Sequence, residues 1–202
     1  MSQFCAIQDI EAFLQISIPA EKVGAALRAI EAATEAIRNW CHQQLDLVED
    51  DAVTLDIEVN SYHLFLPEMP VVSVASVVED GETLVVDDDY KLGQHGVLHR
   101  VGRKWEQGVQ IVTVTYTHGY ETIPADIVDV CARAAARAYQ AGLRAEENAA
   151  VPGITAKSLG DYSVQFGAES GASGEGVLGA SAAPMLLRSE RDMLARYRYV
   201  NQ

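Results

Sequence analysis

The sequence predicts an α+β protein: mostly a helical bundle with a small antiparallel β insertion, followed by an extended C-terminal arm that ends in a helix. Three observations predict it. Apolar residues recur at helical spacing up to about residue 45 and again over 124–142, while between 53 and 117 the period falls to two and is broken by proline, glycine and aspartate. After about residue 167 small residues displace apolar bulk until one last amphipathic segment.

Residues 6–15 place Ile7, Ile10, Phe13 and Leu14 on one helical face. Ser17 and Pro19 then punctuate the chain, and Pro19 with Glu21 suits the first turn of a second helix, 20–45. Its inward positions are Val23, Leu27, Ile30, Thr34, Ile37 and Cys41, its polar stripe Arg28, Glu31, Glu35 and Arg38, and its alanines at 25, 26, 29, 32, 33 and 36 permit close helix packing. From 53 to 117 the alternation of Val53, Leu55, Ile57 and Val59 begins a set of short strands. Turns fall at Pro67, Pro70, Asp80–Gly81, Asp87–Asp89 and Gly93–Gly96. Pro124 opens a third helix, 124–142, with Asp126 and Asp129 in its first turns and Gly142 as its stop. Ile127, Cys131, Ala134, Ala135 and Ala138 form its apolar face, and Arg133, Arg137 and Arg144 its polar stripe.

At 202 residues the chain suits one well-buried core plus appendages, and a second full domain is not expected. The expected organisation is one domain over 1–167, a flexible linker over 168–183 and a docking helix over 184–202. A strand-like island, "DYSVQFG", lies near the end of the first. The terminal segment interleaves Met185, Leu186, Leu187, Leu194 and Tyr197 with Arg188, Arg191, Arg196 and Arg198. This pattern suits a helix that leaves its own subunit to lie in the groove of the portal or a neighbouring subunit with an acidic rim, or one that folds back onto its own bundle as the last core element.

A formal charge of -14 and a pI near 4.6 argue against tight, sequence-tolerant binding of duplex DNA, which depends on cations that displace phosphate counterions. The excess is uneven: residues 1–52 carry 9 acids against 3 bases, 53–123 carry 11 against 4, and 124–202 carry 9 against 8, leaving the last third best suited to an acidic partner. Cys5, Cys41 and Cys131 share no CxxC spacing and read as reduced core residues of a cytoplasmic protein. Asp9 and Glu11 with no early Lys or Arg make a secretory signal unexpected, and no apolar run approaches the ~20 residues of a membrane span.

Motifs of chemistry are sparse. Gly174, Gly176 and Gly179 spell GxGxxG, but Ser181 and Pro184 follow where a dinucleotide site needs a helix and a second strand, so a linker is the better reading. His95 and His99 fall in a turn and strand without a third ligand at metal spacing. Cys41 and His42 point to different faces of a helix. Asp87–Asp89 lack the glycine and terminal glutamate of a calcium loop and read as a solvated turn. Tyr116, His118 and Glu121 supply the residue types of a small hydrolase, and the terminal helix those of a regulatory binding module.

Three stretches, "PEMPVVSVASVVEDGE", "VTVTYTHGYETIPADI" and "SLGDYSVQFG", follow the two N-terminal helices in this order. Together, over roughly 6–167, they resemble the head-tail connector proteins of tailed bacteriophages, also called adaptor or head-completion proteins. The resemblance implies that Tyr116, His118, Gly119, Tyr120 and Pro124 form a strand-to-helix joint with no catalytic, metal or cofactor role. It further implies a protein made in the host bacterial cytoplasm and built into the virion neck as a dodecameric ring. The ring would stand beneath the portal protein and extend the DNA channel toward a stopper or tail-terminator protein, with no membrane involved. The segment after about Gly167 departs from the shorter family members, so portal contacts are not carried over residue by residue.

Overall fold

Alanines, more than the larger apolar residues, decide how the helices meet. The computed structural model describes residues 2–149, 156–159, 162–165 and 185–199. Helix α1 spans Ile7–Leu14, and a 3₁₀ turn at Ala20–Lys22 leads into α2, Val23–Cys41. α2 buries Ala26, Ala29, Ile30, Ala33, Thr34, Ile37, Arg38 and Cys41. This corrects two expectations: Leu27 is 39% exposed, and Arg38 belongs to the interior. Small side chains let α2 approach α3 (Ala125–Ala149), which answers with Ala132, Ala134, Ala135 and Ala136, and Leu27 is left on the flank. In α1 only Ile10 is buried, with Ile7 and Leu14 packed beside it, whereas Phe13 is 50% exposed.

Two helix ends also differ from expectation. α2 stops at Cys41 because His42 takes a left-handed conformation (φ 55) and its N–H returns to the Arg38 carbonyl. α3 runs past Gly142 to Ala149; nothing crowds that glycine, and an ion pair from Lys22 to Glu146 ties the following turn to the start of α2.

The β region is larger than an insertion on a bundle. β1 (Val48–Ile57) starts earlier than expected and bulges near Asp50. After it come β2 (His63–Phe65), β3 (Val71–Glu79), β4 (Glu82–Thr83), β5 (Tyr90–Leu92), β6 (Val97–Arg100) and β7 (Gly108–His118). They form two antiparallel sheets, β1-β7-β3-β4 and β2-β6-β5. Between them lies a second hydrophobic cluster around Leu66, Val77, Leu98, Trp105, Val114 and Tyr116. The expectation of one core in a mostly helical bundle is therefore replaced by an α+β fold with two adjoining cores. The physical reason is β7: its alternation turns Val112, Val114, Tyr116 and His118 inward, enough apolar area for a core of its own.

The acidic turn is not merely solvated. Asp89 accepts the Val85 N–H (2.9 Å) and pairs with Arg100 (3.3 Å), which also meets Glu79 (3.1 Å). Glu79 on β3 and Arg100 on β6 are both buried, so this pair ties one sheet to the other. The "DYSVQFG" island contains β9 (Tyr162–Gln165), which pairs antiparallel with a strand not anticipated, β8 (Ala156–Leu159). The linker 168–183 and its GxGxxG lie outside the described residues.

Of the two placements open for the terminal helix, docking on a partner or folding back on its own bundle, the structure shows contacts of the second kind: α4 (Arg188–Leu194) and a 3₁₀ turn, Ala195–Tyr197, pack against α2 and α3. Leu186 and Leu194 enter the helical core, and Arg137 clamps the buried Glu190 with two 2.6 Å hydrogen bonds. Leu194→Ala is expected to cost about 3 kcal/mol in a urea titration of the full chain, and Leu187→Ala, at an exposed site, less than about 0.5 kcal/mol. Equal effects would mean that this segment is not packed as described.

Candidate interaction site at the helix–sheet joint

Three parts of the chain cross where the two cores adjoin. α2 hands over to β1 through residues 42–47, β7 hands over to α3 through 119–124, and residues 197–199 return from the C-terminal segment. Leu47 N–H donates to the Tyr120 carbonyl (3.1 Å), Tyr120 N–H to the Leu45 carbonyl (3.0 Å), and Gly119 N–H to the Pro70 carbonyl (2.9 Å). Gly119 has φ +90, and a Cβ there would collide with the Asp46 carbonyl, so glycine is required by both conformation and space. Pro124 then starts α3, its carbonyl accepting from the N–H groups of Ile127 and Val128.

Side chains lace the crossing together. Gln43 accepts the Met69 N–H (3.1 Å) and donates to the Tyr197 carbonyl (3.1 Å), and Tyr199 N–H reaches the Cys41 carbonyl (2.9 Å). Glu68 accepts the Gln44 N–H (2.8 Å), and its own N–H donates to the Tyr116 hydroxyl (3.3 Å). Burial pushes the pKa of both Glu68 and Tyr116 up, which favours their neutral forms. Arg38 closes the helical side: it donates to Asp46 (2.8 Å), Glu35 (2.7 Å) and the Ser2 carbonyl (2.9 Å), with its guanidinium over the Phe4 ring. Burial is the largest single influence and opposes the Asp46 carboxylate, but hydrogen bonds from Arg38 and Ser2, a backbone hydrogen bond and the Arg38 charge together outweigh it and hold Asp46 below the usual carboxylate range.

The residues expected at the joint are brought together here. Tyr116 and His118 lie two apart on β7, both buried, with ring centroids 5.0 Å apart; His118 Nε2 is 3.2 Å from Asp51, and its Nδ1 is buried without a partner among the described residues. Tyr120 is half-buried and meets Tyr197 edge to face. Tyr197 donates to Asp126 (2.8 Å), which also pairs with Arg196. The hydrolase grouping is not assembled: Tyr116 and His118 are sealed inside while Glu121 is exposed. Among the described residues no three His, Cys, Asp or Glu side chains are grouped to hold a metal. Cys41 is in the helical core, its thiol pushed up to about 11 by burial, and His42 is exposed.

Of the terminal residues expected to dock, Leu186 and Leu194 are buried and Met185 is half-buried. Arg191 and Arg198 lie over the Trp40 ring at 5.0 and 5.1 Å. Leu187 and Arg188 face outward. Beside the joint, Gln43, Leu45, Met69, Pro70, Tyr120 and Tyr197 help to line an open cleft of about 490 Å³. Sequence reasoning missed Gln43, Asp46 and Glu68, whose partners are distant in the chain and announce no motif.

Two outcomes follow. Gly119→Ala is expected to destabilise the protein by roughly 3 kcal/mol or more, against about 1 kcal/mol for Gly81→Ala, where φ is +80 but nothing crowds the Cβ. Asp46→Asn should be less stable than the parent at neutral pH. Because the folded pKa of Asp46 is depressed below 3.8, its contribution is present above that value and lost as pH falls through the folded pKa, so the two stability curves should converge in acid. Urea midpoints across a pH series check this; a gap that stays constant below pH 3.8 contradicts it.

Comparison with known proteins bears on this architecture. No curated relative matches the sequence. Among the solved structures similar in fold are two. One, described as the neck of an empty GTA particle computed with C6 symmetry, aligns with a TM-score of 0.55 at 15% identity, covering 96% of this chain and 88% of that one. The other, described as the virion of a native gene transfer agent (GTA) particle, aligns with a TM-score of 0.53 at 16% identity, covering 100% and 96%. The model of the head completion protein family matches residues 3–133 and stops short of "SLGDYSVQFG". That match takes in α1, α2, both sheets, the joint and the first turns of α3, and the chain belongs to the head completion protein family.

Proposed function

We propose that the protein is a structural head–tail adaptor of a tailed phage or phage-like particle, standing in the neck as a dodecameric ring beneath the portal. There it extends the DNA channel toward a stopper or tail-terminator protein and has no catalytic role. The observation that carries this reading is the family match over residues 3–133, which contains the joint. The fold similarity to a chain from a GTA neck supports the location, and the six-fold symmetry of that neck accommodates rings of six or twelve.

Charge supports the channel role. Exposed carboxylates at Glu49, Asp50, Asp80, Glu82, Asp87 and Asp88 repel phosphates, so DNA slides past a wall of this kind instead of adhering to it. The terminal segment supports the contact with the portal or a neighbouring subunit. While Leu186 and Leu194 hold it to its own bundle, Leu187, Met193 and Arg188 offer an apolar and basic outer surface to an acidic partner. Tyr116, His118, Gly119, Tyr120 and Pro124 serve this function indirectly, by fixing how the two cores meet.

Electron microscopy of the purified protein mixed with its portal should show rings on the portal, and a Leu187→Asp/Arg188→Glu variant should fold but dock poorly. A fluorescence titration with duplex DNA at physiological salt should show only weak binding. Monomers that never join the portal, or tight DNA binding, would refute the reading.

A further inference from the structure

Residues 2–6 lie across the helical core, held by three contacts of different kinds. Arg38 donates to the Ser2 carbonyl, Phe4 N–H donates to Thr34 Oγ1 (3.3 Å), and the Cys5 Sγ is 3.2 Å from the Cys131 Sγ on α3. Bonded disulfide sulfurs are about 2.05 Å apart, so roughly 1 Å separates this pair from a covalent link. Cys5 is the easier partner to move, because it precedes α1 in an irregular segment while Cys131 is fixed in the second turn of α3.

We propose that Cys5 and Cys131 form a redox-responsive pair, a dithiol when the chain is made in a thiol-rich compartment and a disulfide once it meets a small-molecule disulfide oxidant. Three features of the site support this. The thiol–thiol hydrogen bond keeps Cys5 protonated and lowers the pKa of Cys131, the sulfur that accepts it. Thr34 Oγ1, which already accepts from Phe4, has its proton free to donate to Cys131 Sγ at 3.6 Å. Cys41 lies elsewhere in the helical core with burial pushing its thiol up, so the chemistry selects one pair of the three cysteines.

Both sulfurs are buried, so exchange begins when residues 2–6 lift away. The Cys131 thiolate attacks one sulfur of the oxidant; the oxidant's S–S bond breaks, a mixed disulfide forms and one small thiolate leaves. That thiolate takes the Cys5 proton. The Cys5 sulfur then attacks the Cys131 sulfur of the mixed disulfide, and the second small thiolate departs and is protonated by solvent, which holds the proton Cys131 gave up. Two protein thiols are oxidised to one disulfide while the oxidant is reduced to two thiols. The link joins residues 126 apart in sequence, enclosing β1 to β7 in one covalent loop, and long loops constrain the unfolded chain most. This inference stands independently of the proposed place in the particle.

The test takes full-length protein purified under reductant, treats it with oxidised glutathione, and maps it by non-reducing peptide mass spectrometry alongside thermal denaturation. Expected are an intact mass lower by two hydrogens and a Cys5 peptide joined to the Cys131 peptide. Tm should rise by at least about 5 °C and return to its starting value with dithiothreitol. Cys41→Ala should keep both the cross-link and the shift, and Cys5→Ala should lose both. Three titratable thiols after oxidation of protein with an unchanged far-UV spectrum would overturn the proposal. So would a stable glutathione adduct, or a link through Cys41. If Cys5→Ala does not fold, the map of the parent protein decides alone.

Discussion

Two backbone hydrogen bonds between residues 45–47 and Tyr120 set the relation of the helical core to the β core. The chain crosses from one core to the other at Gln43–Leu47 and crosses back at Gly119–Pro124, and the two crossings lie directly against each other. Their approach is close enough that a single methyl group at residue 119 would collide with the Asp46 backbone. A hinge of two separated strands would let the cores swing. A paired crossing, tightened by Gln43 and Glu68 on one side and Arg38 on the other, does not. In the proposed ring, a fixed angle between the parts of each subunit would be a requirement, since small errors in each copy add around the circle.

Charge inside the molecule follows the same logic. Ion pairs with at least one buried partner occur at Arg38–Asp46, Arg100–Glu79 and Arg137–Glu190. Each joins segments that hydrophobic packing alone would leave free to slide: the N-terminal strap and the joint, the two sheets, and the terminal helix on α3. Desolvation removes much of the net gain from such pairs, but an orphaned partner is costly, so they act mainly to exclude other arrangements. A chain with formal charge -14 thus spends several of its few arginines internally, and the acidic excess falls to the surface.

Periodicity made the order of elements legible, and turn residues made their approximate limits legible. The long α2, the antiparallel strands and the Pro124 start of α3 were readable because each rests on local spacing, whereas the tyrosine–glycine joint came only from the family resemblance. What was not readable depends on partners far away in the chain. Arg38 looked like a surface residue because its hydrogen-bond partners, Asp46 and Ser2, come from a loop and from the N-terminal strap. Leu27 looked like core because size suggests burial, yet alanine faces bring helices closer than leucine can. Gly142 looked like a stop, but glycine ends a helix only where the backbone turns left-handed, and here tertiary packing carries α3 through it. A second core was invisible to composition, since apolar content does not say into how many clusters it is gathered.

The two tryptophans are divided between the two bodies. Trp105 is wholly enclosed in the β core, while Trp40 lies at the rim of the helical core beneath Arg191 and Arg198 of the returning segment. The protein thus carries one intrinsic fluorophore in an apolar box and another beside two cations that leave when the terminal segment lifts. Emission from single-tryptophan versions would report the two regions separately. Coincidence of their unfolding curves becomes a direct measure of whether the paired crossing couples the cores into one cooperative unit.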